Sequence, residues 1–476
     1  MPILCFSTSN SASAKLGSEV IRVINLDIQW RRQLQSYSGS LLAGAATRDI
    51  TPSFPVFLYG YPFVSRYSTG VHDPLLSSAL YLSDGKTEAM FVANDIIWIG
   101  KASVRRIRER IASLSAVPAR NILISGTHTH SGPMTLDYIS NADDPVVPKT
   151  DLRYVHDLEE AVVAVAREAI SNAGPAEVGL AVADGSGIGT NRHDPQGPAD
   201  REVPVLMVRS ALDSEVIACM LVCSMHPTVL HEDSTLISGD FPAMARQYLQ
   251  QEVLRRHCPV LHHTGPSGNL SPRHTATSNT FAEAQRLGQV LGRSIAAAID
   301  PIEYSRSLPV QCTQTWVDLP RRSFPSVADA EANRKRAMKF LEDLRLNNAS
   351  RQEIRTAEVD WFGAEESVTL ARAAAEGRLE AALECCLPAE IQIIRIGPWS
   401  FVGWQGEIFV EYALAVKARA RNTFVISLAN GELQGYICTS EAFEQGFYEA
   451  GNCLFDWMSG ELLVQRSLEL LCGLAQ

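Results

Sequence analysis

From Leu41 onward the chain repeats one pattern: a short apolar run, a polar and often glycine-rich loop, then a stretch of helical periodicity. Ala79–Ser83, Ala89–Ala93, Asn121–Ser125, Val216–Cys223, Pro259–Leu261, Ile391–Ile396 and Phe424–Leu428 are such runs, and they read as buried strands. Between them, Val104, Ile107, Ile111 and Leu114 share one face of a helix over Ser103–Leu114. Val155, Leu158, Val162, Val165 and Ala169 do the same over Asp151–Ala173, and Ala243–Val253 and Thr280–Ala298 also read as helices. Strands alternating with helices predict an α/β core of mixed β-sheets flanked by helices. Residues 325–386 depart from the pattern. They are rich in Ala, Glu, Arg and Leu, with a break near Asn347–Ser350, and read as an inserted helical hairpin. A packed or solvated hairpin is a more ordinary fate for it than a coiled-coil partner site.

Composition narrows the function. The chain has 476 residues, 46% of them hydrophobic, which is ample for a sizeable core. Its net charge of −11 argues against nucleic acid or an anionic membrane surface as partner. Ten cysteines occur without a C-x-x-C pair, several inside apolar runs, and read as buried reduced thiols. No apolar stretch is long enough to span a bilayer. Residues 1–40 are Ser-rich and read as an N-terminal extension without a secretory signal, so the expected location is cytoplasmic. Homo-oligomerisation stays open.

The loops carry the chemistry. Gly126-Thr127-His128-Thr129-His130-Ser131-Gly132-Pro133 follows one apolar run. In an extended backbone residues i and i+2 point the same way, so His128 and His130 are expected to face one cavity. Imidazole is both a common zinc ligand and the usual proton carrier near neutral pH. Alone, the pair reads equally well as two hydrogen-bonded loop histidines. His226-Pro227, Gly268-Asn269-Leu270-Ser271-Pro272, Gly406-Glu407 and Gly435-Tyr436 lie in similar loops after later runs. In open α/β sheets, sites gather at the carboxyl ends of strands. Glu407 beside an apolar segment calls for a cation, a metal or a helix N-terminus. Ser271 and Tyr436, taken singly, suit a plain turn and an ordinary strand.

Taken in order, these blocks resemble the neutral, non-lysosomal ceramidase family, specifically its N-terminal catalytic domain. Asp49-Ile50-Thr51-Pro52 with Tyr59-Gly60-Tyr61 is similar to the family's opening block, and Val71–Leu75 follows. Gly126–Pro133 is nearly the family's histidine motif. Thr190-Asn191-Arg192, Met225-His226-Pro227, Gly239-Asp240, Gly268–Pro272, Gly406-Glu407, Gly435-Tyr436-Ile437 and Tyr448-Glu449-Ala450 continue the series. The resemblance covers roughly Leu41 to Phe455. It implies a ceramidase-like catalytic domain over 41–476 that holds the helical insertion, with no counterpart of the family's C-terminal β-sandwich domain. Asn269 departs from the family, which has aspartate before the serine.

Carried over, the resemblance implies zinc ligands at His128, His226, Glu407 and Tyr436. It places His130 at the substrate carbonyl or in proton transfer, Arg192 and Tyr448 at the carbonyl oxygen, and Ser271 at the family's active-site serine, as helper or nucleophile. The implied function is zinc-dependent hydrolysis of an N-acyl amide bond by metal-activated water, on a lipid-like or other small-molecule amide. The alternatives are the same zinc site acting on a non-lipid small amide, cyclic amide, lactone or ester, and a zinc- or ligand-binding homologue without turnover.

Overall fold

The computed structural model describes residues 41–474. The expected N-terminal extension lies outside them. Eight strands form the larger sheet: β1 (Leu42–Asp49), β2 (Leu76–Ser83), β3 (Glu88–Asn94), β4 (Ile122–Gly126), β5 (Gly174–Asp184), β6 (Glu202–Ser210), β7 (Val216–Cys223) and β8 (Val260–Thr264), in the spatial order β8-β7-β6-β5-β1-β2-β3-β4. The outer pairs β3/β4 and β7/β8 are parallel and the rest antiparallel. The β1–β5 ladder in the middle has only two residue pairs. The halves on either side fold toward each other, so the two edge strands meet: Ser125 Oγ on β4 lies 2.7 Å from His263 Nδ1 on β8. The carboxyl ends of β4, β7 and β8 thus share one end of the molecule.

A second, four-stranded sheet comprises β9 (Val310–Val317), β10 (Ala389–Ile396), β11 (Trp399–Trp404) and β12 (Thr423–Ile426), in chain order. Side-chain alternation explains the layering. On β3, Phe91 and Ala93 pack inward with Ile394, Phe401 and Ile426 of the second sheet. Met90 and Val92 point outward to α1 (Lys101–Leu114) and α2 (Leu152–Ser171), meeting Val104, Ile107, Leu158 and Val162. On β7, Ala218 and Met220 face the second sheet, whereas Cys219 and Leu221 meet Phe241 of α3 (Asp240–Tyr248) and Leu287 and Leu291 of α4 (Phe281–Ile299). Strands covered on both faces read as continuous apolar runs. The result is helices, sheet, sheet, helices.

The antiparallel partners β9 and β10 are separated in the chain by α5 (Val327–Leu346), α6 (Arg351–Ala375) and α7 (Leu379–Cys386). A Ser350/Glu353 capping box starts α6. α8 (Val410–Lys417) and α9 (Met458–Leu474) cover the far face of the second sheet through Tyr412, Ala413, Leu463 and Val464. No described helix is long and apolar enough to cross a membrane. The nine cysteines among the described residues are all unpaired thiols.

Candidate metal centre

β4 ends at Gly126, where an added Cβ would come within 2.9 Å of the Ile96 carbonyl oxygen, so the loop beyond it passes tight against the backbone after β3. His128 follows with φ of 68°, a left-handed conformation that non-glycine residues rarely hold. The extended backbone expected for the histidine pair is therefore absent. The rings still converge, with His128 Nε2 and His130 Nε2 3.4 Å apart. Leu428, Asn430 and Gln434, in the loop after β12, also have positive φ. Strain of this kind persists where surrounding structure over-determines it, and it concentrates at functional sites.

His226 stands three residues beyond β7, and its Nδ1 donates to the carbonyls of Ser267 and Leu270 at 2.6 and 3.1 Å. His128 Nδ1 donates to the carbonyl of Ile97 at 3.0 Å. In the neutral form of either ring these bonds leave the lone pair on Nε2, and Glu407 works to raise His128 against its burial. Those two Nε2 atoms lie 3.1 Å apart, and Glu407 Oε2 lies 3.1 Å from each. Glu407 is not at a helix N-terminus. It begins a two-residue parallel ladder, Glu407–Ile408 with Tyr436–Ile437, in which Glu407 pairs with Tyr436. The Tyr436 hydroxyl lies 3.2 Å from that of Tyr448.

His128, His226, Glu407 and Tyr436 are buried, His130 and Tyr448 half-buried, and charge sorts them. Burial works to raise the Glu407 carboxyl, yet the adjacent His128 and His226 hold it well below its ordinary range. Burial pushes His226 down to about 4. Burial, then His128 and His226, holds His130 well below 6.5. His130 also differs in that its buried Nδ1 has no hydrogen-bond partner.

The other expected residues line the same cavity, of about 120 Å³. Arg192 Nε donates to Glu449 Oε1 at 2.7 Å, and its guanidinium lies over the Tyr448 ring at 5.0 Å and the Tyr436 ring at 5.6 Å. Ser271 caps a short 3-10 turn, its hydroxyl accepting from Arg273 N at 3.4 Å, and no histidine bonds it. Asn269 ties its loop to the start of α8. Its Oδ1 accepts from Val410 N at 3.0 Å, and its Nδ2 donates to both Glu411 oxygens at 3.0 and 2.9 Å.

Three acids carry no signal of their own in the sequence. Glu449 sits inside the Tyr448-Glu449-Ala450 block, where nothing marks its role; it anchors Arg192 and His193. Glu366 and Glu432 are buried near Glu407, and burial pushes them up to about 7 and about 8. Glu366 is one of many glutamates on a helix, and Glu432 follows Asn430-Gly431 with no motif around it, so spacing alone marks neither.

The fold and site together define a double-sheet α/β protein with a buried His–His–Glu cluster where its strands end. Residues 41–277 match the family model described as neutral/alkaline non-lysosomal ceramidase, N-terminal, and by that region the chain belongs to this family. A neutral ceramidase from Pseudomonas aeruginosa shares the fold, with a TM-score of 0.70 at 18% identity over 90% of this chain and 73% of that one. A ceramidase complexed with C2 gives 0.69 at 17% identity, covering 90% and 74%. No curated protein matches the sequence.

Proposed function

We propose that the chain is a zinc-dependent amidohydrolase whose metal is held by His128, His226 and Glu407, with Tyr436 beside them. One observation carries this: three potential ligand atoms face one another at 3.1 Å, and with both Nδ1 atoms donating to backbone carbonyls each neutral ring turns its lone pair to that side. Such a cluster repels itself unless a proton or a metal cation stands within it, and the Glu407 carboxylate draws His128 toward the charged form when no metal is there. Ligands at about 2.0–2.1 Å from a tetrahedral zinc are about 3.4 Å from each other, close to the spacing here. Backbone carbonyls fixing both Nδ1 atoms are the usual outer support of a metal-bound histidine. His128, His130 and His226 also form a trio within 4.8 Å. Glu407 is the better third ligand, because its oxygen is equidistant from both fixed Nε2 atoms and its negative charge offsets the metal's.

Zinc held by these residues would polarise a scissile carbonyl and acidify a bound water. The chain's own residues do the rest. His130 is neutral and lines the cavity, so it accepts a proton and passes it to the leaving amine. Arg192, held by Glu449, and the Tyr448 hydroxyl face the carbonyl oxygen as it gains charge. Ser271 positions the substrate, since a serine nucleophile needs a base within hydrogen-bond reach and none bonds its hydroxyl. Asn269 does not argue for a protein without turnover, because its amide is matched to Glu411. The unpaired thiols among the described residues suit a reducing, cytoplasmic setting.

A second reading keeps this chemistry and replaces the lipid with a small polar amide. The cations Arg273, Arg351 and Arg355 in the cavity wall favour it. Amide cleavage by wild-type protein is measured on N-acyl sphingosine, short N-acyl amines and aryl amides, beside His130→Ala. The proposal expects cleavage of at least one amide and a loss of about 10²–10⁴-fold in the variant. No turnover of any of them, with zinc bound, contradicts it.

A further inference from the structure

The cavity wall carries charge that amide hydrolysis does not use. Arg273 follows Ser271 by two residues, and Arg351 and Arg355 lie one turn apart at the start of α6. Positions 351, 355, 359, 362 and 366 follow helical spacing, so one face of α6 forms that wall. The face runs from two arginines through Val359 and Phe362 to Glu366.

Arg355 is matched: its Nη1 lies 2.8 Å from Glu232 Oε1 and 3.2 Å from Glu358 Oε2. Arg273 and Arg351 are not. Among the described residues, no carboxylate oxygen lies within 4.0 Å of either guanidinium. Arg273 Nη1 donates only to Thr356 Oγ1 at 3.2 Å, and Arg351 Nη1 only to the Ala276 carbonyl at 3.3 Å. Each guanidinium has five N–H donors, so most remain free. Asp360 and Glu449 act on Arg273 only from beyond ion-pair distance, and the side toward His231 is positive. His231 is pushed down to about 2 by burial, then by Arg355, Arg351, Arg273 and Arg66. Holding the half-buried Arg273 in a cavity wall without a carboxylate partner is costly unless an anion answers it, and the exposed Arg351 adds a second positive charge beside it.

The span to the reacting centre is short. The Tyr61 ring lies 5.2 Å from the His130 ring centroid on one side and 5.2 Å from the Arg355 guanidinium on the other. One aromatic ring therefore separates the cationic end from the proton-transfer residue.

We propose that Arg273 and Arg351 bind a carboxylate on the substrate, so that the amide cleaved is that of a small carboxylic acid, such as an N-acyl amino acid or a dicarboxylic monoamide. This deepens the amidohydrolase reading, and rests on it for the reaction but not for the anion site. A neutral lipid amide leaves both cations unanswered, whereas a carboxylate takes paired, charge-assisted hydrogen bonds from a guanidinium.

The test uses the zinc-loaded full chain with the monoanilides of succinic, glutaric and adipic acid, each against its neutral terminal carboxamide. Binding is measured by calorimetry and cleavage by aniline release. At least one acid should bind tenfold or more tighter than its carboxamide. That ratio should fall to threefold or less in Arg273→Gln and in Arg351→Gln, and recover in part in Arg273→Lys. Arg351 is exposed, so its variant keeps the test valid if Arg273→Gln does not fold. Equal binding of acid and carboxamide throughout the series, or a preference unchanged in both variants, overturns the anion site. Cleavage of both members of a pair without preference also overturns it and leaves the hydrolase reading standing. A carboxylate preference without aniline release supports the anion site and counts against the hydrolase reading.

Discussion

Gly60 decides where His130 can stand. A Cβ at Gly60 would come within 2.5 Å of the His130 ring, and the residue's φ is 121°. Gly60→Ala should displace the imidazole from the reacting carbonyl, cutting turnover by about 10–100-fold while zinc content stays at the wild-type level; misplacement of about 1 Å has that order of effect. Unchanged turnover would remove His130 from the mechanism. Asn269 carries a separate prediction. Asn269→Asp would replace the donor to Glu411 with a second carboxylate, losing about 1–3 kcal/mol by urea denaturation. A variant as stable as wild type would show that the amide contributes nothing. At this scale the sequence was legible where a block carried its own chemistry. Every residue expected at the site lines the cavity or joins the His–His–Glu triangle. Strand periodicity is nevertheless not what makes His128 and His130 converge. The left-handed φ at His128 does so, set by hydrogen bonds to the carbonyls of Ile96 and Ile97, which no local pattern announces.

α6 roofs the cavity and presses on Tyr448. A Cβ at Gly363 would lie 2.7 Å from Tyr448 Cβ. Gly363→Val should push Tyr448 and the Arg192 it stacks with away from the carbonyl oxygen, lowering kcat more than raising KM, at a stability cost of about 1–3 kcal/mol. A variant that loses stability but keeps kcat would make α6 a mere cover. Strands and helices announced themselves through period, and a composition rich in Ala, Glu, Arg and Leu marked the helices now seen between β9 and β10. Which face of α6 turns inward was not legible, because Arg351 and Arg355 read as ordinary solvated charges on such a helix. Nor was the short β1–β5 ladder, since strand pairing between distant segments leaves no local trace.

Across the whole molecule, two sheets buried between helices also bury histidines outside the His–His–Glu cluster. His262 on β8 has neither ring nitrogen hydrogen-bonded, and burial pushes it down to about 3. An unfolded histidine titrates near about 6.5, so between these values the unfolded chain takes up the extra proton. The contribution of neutral His262 is full above about pH 6.5 and is lost as pH falls toward about 3. His262→Phe should therefore melt higher than wild type at about pH 5 and show a shallower fall in Tm below about pH 6.5; parallel Tm profiles would contradict this. The central claim, however, is the metal. Elemental analysis of metal-replete protein, for wild type beside His128→Ala and Glu407→Ala with folding checked by circular dichroism, tests it most directly. About one zinc per wild-type chain is predicted, with most of it lost in both folded variants. Wild-type protein without zinc, or variants that retain it in full, would contradict the claim.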